Sequence, residues 1–96
     1  MRGRRTIDQA AAETIAVEAL GFLGSDPDRL DRFLAISGLD PGSIRAAAAE
    51  PGFLAGVLDY VVADEPLLLA LAAATGEKPE TIMQAREILS PTATDP

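Results

Sequence analysis

Between Phe53 and Thr75 the chain reads FLAGVLDYVVADEPLLLALAAAT, and nowhere else are large aliphatic side chains so dense. Burying such a stretch is the largest single gain open to the chain, so the remaining segments must pack around it. It does not qualify as a membrane span. Asp59, Asp64, Glu65 and Pro66 interrupt it, and the charge-free run from Leu67 to Thr75 is far below the roughly 18 to 20 residues a spanning helix needs. The spacing predicts two short helices instead. Phe53, Leu54, Val57, Leu58, Val61 and Val62 recur at helical intervals, and Asp64 then caps a second helix carrying Leu67, Leu68 and Leu71.

The flanking segments carry their own start and stop chemistry. Thr6 is the expected cap of a first helix running to about Leu23, with Ala12, Ile15, Ala16, Ala19, Leu20 and Leu23 on one face and Gly24 at its end. Ser25 or Asp26 caps a second helix with Pro27 in its first position, where a missing N–H costs nothing, and Leu30, Phe33 and Leu34 form its buried stripe. Gly38 followed by Leu39 reads as a left-handed stop with a hydrophobic contact. Asp40 and Pro41 open a third helix, with Ile44 and Ala47 inward, which runs to Glu50 before Pro51 and Gly52 break the chain. Gly76 stops the fifth helix, and Pro79 opens a sixth that carries Ile82, Met83, Ala85, Ile88 and Leu89 before Pro91. No stretch alternates like a strand. The expectation is an all-α fold, a compact bundle of five or six short helices forming one domain over residues 1–96.

A displacement of 38 residues lays Leu20 on Leu58, Asp26 on Asp64, Leu30 on Leu68, Ala35 on Ala73, Gly38 on Gly76, Pro41 on Pro79, Ile44 on Ile82 and Ala47 on Ala85, eight identities in 28 aligned positions. Caps and stops match as well as apolar residues do. The implied organisation is two tandem three-helix units, residues 6–50 and 51–90, sharing one core, between a flexible basic arm (1–5) and a flexible tail (91–96). Short helices joined by similar turns are the alternative explanation.

Composition removes most chemistry. The 96 residues include no cysteine and no histidine, which excludes disulfides, Cys/His zinc sites, thiol nucleophiles and any imidazole-dependent triad. Asp26, Asp28 and Asp31 lack the glycine and the distal glutamate of a calcium loop, and acids there serve a helix start. Asp64 and Glu65 diverge at another helix start, with no nucleophile or phosphate loop beside them. No catalytic residue, cofactor site or metal site is expected. Tyr60 reads as a core residue with its hydroxyl at the rim. The Arg-rich start is followed by Asp8, Gln9 and Glu13 rather than an apolar run, so no signal peptide is expected and the protein is read as cytoplasmic.

Fifteen acidic against eight basic residues give a net charge of -7, which opposes binding to a phosphate backbone or an anionic membrane. Arg2, Arg4 and Arg5 hold three of the positive charges, leaving five basic and fifteen acidic residues from Thr6 onward, a body charge of -10. Residues 68–89 nevertheless fit the spacing of a helix-turn-helix: Ala72 lets the helices approach, Gly76 takes the turn, and Ile82 locks the second helix onto the first. In a DNA-bound form Lys78, Glu80, Thr81, Gln84 and Arg86 would face the groove, joined by Arg2, Arg4 and Arg5 of the arm. Glu77, Glu80 and Glu87 outnumber Lys78 and Arg86, and Leu34, Gly38 and Ile44 repeat the same spacing in the first unit, so the segment reads better as a structural turn.

The order of motifs, with GFL then DP at Gly21 to Pro27, the SGLDP turn at Ser37 to Pro41 and the block PGFLAGVLDYVVADE, resembles a family of small alphaproteobacterial proteins, DUF3572, a domain of unknown function. The resemblance runs from about Ala11 to Ala85. It implies a short helical protein of a bacterial cytoplasm and supplies no catalytic or cofactor residues. The reading that follows is a non-enzymatic module that binds another protein or itself, with a groove between the two units as the place for a partner helix. The alternative is a nucleic-acid-associated regulator using residues 68–89.

Overall fold

Asp8, not Thr6, opens the first helix. Its extended backbone lets Oδ1 accept the Ala11 N–H at 2.8 Å, and α1 follows as Gln9–Gly24. Thr6 lies outside the residues that the computed structural model describes, which are 7–38, 40–47 and 49–89. The expected flexible arm and tail lie outside them too, as does Leu39. Gly24 is the last helical residue of α1, but the helix closes without a left-handed glycine. Ser25 stays right-handed, its N–H bonds Gly21 O at 3.0 Å and its hydroxyl donates to Phe22 O at 2.7 Å.

Asp26 and Asp64 cap their helices as expected. Asp26 caps α2, Pro27–Ser37, through the Asp28 N–H at 3.0 Å, and Asp64 caps α5, Glu65–Thr75, through the Leu67 N–H at 3.3 Å. Both helices end on left-handed glycines, Gly38 at φ 77° and Gly76 at φ 80°, whose N–H groups return to Leu34 O and Ala72 O at 2.9 Å each. Adding 38 to the bounds of α2 gives those of α5. Helices of 11 residues are too short to hold themselves together in water, where about 12 to 15 are needed, so their ends depend on these caps. We expect Asp26→Ala and Asp64→Ala each to lower stability by about 1 kcal/mol in urea unfolding, with the slope of the transition unchanged.

Between them the third helix is shorter than expected. A 3-10 turn, Pro41–Ser43, is held by Asp40, whose Oδ1 accepts the Ser43 N–H at 3.0 Å and its hydroxyl at 3.1 Å, and α3 extends only over Ile44–Ala47. Ile44 and Ala47 are half-buried rather than core residues. Pro51 and Gly52 do not break the chain. They are the first two residues of α4, Pro51–Val62, because proline fits a helix's first turn. The sixth helix, α6, spans Pro79–Leu89.

The six α-helices make an all-α bundle with no strand among the described residues. Its most extensive contacts join α1, α4 and α6, with α2 laid against α1 and α5 against α4. The densest aliphatic stretch therefore supplies only part of the centre. The rest comes from α1, where Ala12, Ala16 and Ala19 are wholly buried because alanine lets neighbouring backbones approach, and from α6, where Ile82 and Ala85 are wholly buried. The apolar residues of α6 are not all inward: Met83 is 46% and Ile88 38% exposed, while Thr81 is buried. No helix among the described residues is long and apolar enough to cross a membrane.

Candidate interaction groove

On α2 the buried stripe accounts for Phe33 and Leu34, with Leu30 packed half-buried beside them, but not for Ile36, which is 67% exposed. Two residues after Leu34, it falls off the inward face and stands beside a groove between α2 and α4. The floor is aromatic. Phe33 meets the Tyr60 ring edge-on, centroids 5.2 Å apart at 71°, and the Phe53 ring at 6.0 Å and 69°. Such pairs add about 0.5 to 1.5 kcal/mol beyond burial and fix the separation of the two helices.

Above that floor the groove has a volume of about 610 Å³, and its lining includes Ile36, Gly56, Tyr60 and Ala63 together with the charged Arg32, Asp59 and Asp64. It continues into a smaller, more polar hollow of about 220 Å³ that shares Arg32, Tyr60 and Asp64 and reaches Pro66 and Leu67 on α5. Tyr60, expected in the core, is half-buried instead, packed against the core and lining the groove.

The rim charges differ in how they are engaged. Asp59 Oδ1 accepts a hydrogen bond from Arg86 Nε, and Arg86 also reaches Glu87 at 3.1 Å. The hydrogen bond to Asp59, and secondly its charge, raise the pKa of the Arg86 guanidinium above its ordinary value, so this link between α4 and α6 keeps its cation at any working pH. Asp64 spends Oδ1 on the α5 cap. Arg32 makes no hydrogen bond or ion pair among the described residues. Arg29, one turn earlier, is held at 3.4 Å from Asp26 and lies over the Phe22 ring at 4.8 Å.

The basic residues considered for nucleic acid are not gathered in the same way. Arg2, Arg4 and Arg5 lie outside the described residues, Lys78 is exposed in the link before α6, and Arg86 is engaged by two carboxylates. Thr81, counted among the outward residues of the helix-turn-helix spacing, is 3% exposed, and Gln84 is half-buried with an unbonded Oε1. Gly76 and Ile82 do take the turn and locking positions that the spacing gave them. No group of three or more Asp or Glu side chains is placed to hold a metal among the described residues.

A family model described as a protein of unknown function, DUF3572, matches residues 9–92. The chain belongs to this family. The match takes in all six helices, so the DUF3572 unit here is the whole bundle. No curated protein and no solved structure matches the chain. Sequence reasoning missed Ile36, Arg32 and Gly56 as groove residues. The available signal was an isoleucine left over once the α2 stripe was assigned, one turn from an arginine.

Proposed function

We propose that this DUF3572 protein is a non-enzymatic cytoplasmic module that binds another polypeptide in the α2–α4 groove, with a short amphipathic helix as the ligand. The observation carrying this reading is Ile36, a large aliphatic side chain 67% exposed beside an apolar groove whose aromatic floor is rigidly packed. Exposed aliphatic side chains beside a preformed cleft are what helix-in-groove recognition uses. The groove lies between a helix of residues 6–50 and one of residues 51–90, which fits two tandem units whose junction is the binding surface. Nothing on α6 favours the nucleic-acid alternative, since its inner face is in the core and Arg86 is already paired.

The test is recovery of partners by tagged full-length protein from native lysate with and without nuclease, comparing wild type with Ile36→Glu and Leu69→Glu. Leu69 is 50% exposed on α5 and does not line the groove, so it controls for loss of any surface aliphatic. We expect stoichiometric recovery by wild type and Leu69→Glu and at least about a tenfold loss with Ile36→Glu, as for a residue at the centre of an interface. Equal recovery by all three, or recovery that nuclease abolishes, would contradict the proposal.

A further inference from the structure

Resting on the reading of the α2–α4 groove as the binding surface, the geometry points to a second copy of this chain as its occupant. The two walls have opposite character. On α2, Arg32 and Ile36 stand one turn apart, both exposed, and Arg32 has no partner among the described residues. Along α4 and its C-cap, Gly56, Asp59 and Ala63 follow one another at three- and four-residue spacing beside the Tyr60 ring, placing two small residues around one carboxylate. One wall carries a cation, the other an anion. A twofold axis lays α2 of each copy along α4 of the other, so that each Ile36 enters a furrow beside Gly56 and Ala63 while each Arg32 meets Asp59 or Asp64 across the interface. Asp59 already accepts Arg86 on one oxygen, and a carboxylate has capacity for a second guanidinium on the other.

Gly56 is the glycine that lines the groove. It sits in the interior of α4, where glycine costs about 0.5 to 1 kcal/mol relative to alanine, and an added Cβ would meet nothing within 4 Å, so its place leaves room for a helix approaching the furrow. Gly21, Gly24 and Gly52 are equally unhindered and do not line the groove. A basic heterologous helix, the partner that a net charge of -7 would attract, would bring like charge to Arg32; a second copy brings aspartates. The repulsion between two copies is screened beyond about 8 Å at physiological salt. A standard interface buries about 800 Å² per partner, roughly one seventh of the 5675 Å² exposed here.

Sedimentation equilibrium of the full chain at about 0.15 M salt, from about 1 to 300 µM, decides the matter. The mass should rise from 10.0 kDa toward twice that value. Ile36→Glu and Gly56→Gln should each raise the dissociation constant at least about 30-fold, the effect of filling or charging an interface centre. Glutamine is a better helix former than glycine, so Gly56→Gln should melt as a monomer no lower than wild type, which separates loss of pairing from loss of folding. A wild type that stays monomeric throughout overturns the second-copy occupant, and if lysate partners are still lost with Ile36→Glu the groove itself survives. A dimer indifferent to both substitutions overturns this inference, and lysate recovery equally indifferent to Ile36→Glu overturns the groove reading as well.

Discussion

Replacing Ile82 by alanine should cost about 3 to 4 kcal/mol in denaturant unfolding, the largest loss expected from any single aliphatic truncation on α6. Ile82 is wholly inaccessible on a helix whose main contacts are with α1 and α4. The truncation removes the burial of three carbons and leaves a cavity that three helices, already drawn together by alanines, cannot close. A domain of this size has about 5 to 14 kcal/mol in total, so the variant should fold but melt some 10 to 25 °C lower. Met83→Ala and Ile88→Ala on the same helix should each cost under about 1 kcal/mol, because those side chains are 46% and 38% exposed. Equal losses at all three positions would mean that α6 is rotated from the arrangement described here.

Phe33→Ala should be comparably damaging, about 3 to 5 kcal/mol, for a partly different reason. Phe33 is 3% exposed and is the ring against which both Tyr60 and Phe53 pack edge-on, so its loss removes burial, opens a cavity and breaks two aromatic contacts at once. It also removes the floor of the groove. Phe33→Leu keeps most of the apolar volume and should cost clearly less, about 1 to 2 kcal/mol, while still loosening the spacing of α2 and α4. A groove ligand should therefore weaken in Phe33→Leu even at temperatures where the variant is fully folded. Intact binding by that variant would separate the aromatic floor from recognition.

Helix limits were legible wherever one residue settles the backbone. Asp26 and Asp64 each offer a carboxylate to orphan N–H groups, and Gly38 and Gly76 each take a left-handed conformation that other residues resist, so α2 and α5 could be read to their ends. Where two residues could do the same job, the reading slipped. Thr6 and Asp8 are both good caps, and the structure uses the later one. Pro51 both forbids a preceding helix from continuing and favours a new one starting, and only the first effect was credited. Aliphatic density does not by itself locate the centre of the bundle. Small side chains on α1 bury as completely as large ones on α4, and which of five apolar residues on α6 turn inward depends on neighbours that no local rule supplies. For the same reason Ile36 and Gly56 are not legible as groove residues: they come together only when α2 and α4 pack.

A photo-reactive phenylalanine analogue placed at position 36 and, separately, at position 69 would report what touches the groove while the protein is in native lysate. The groove reading predicts discrete cross-linked species from position 36, their number small and their yield reduced by Gly56→Gln, with only weak scattered products from position 69. Comparable products from both positions, or none from position 36 under conditions where the analogue is incorporated and the protein is folded, would contradict an interaction surface between α2 and α4.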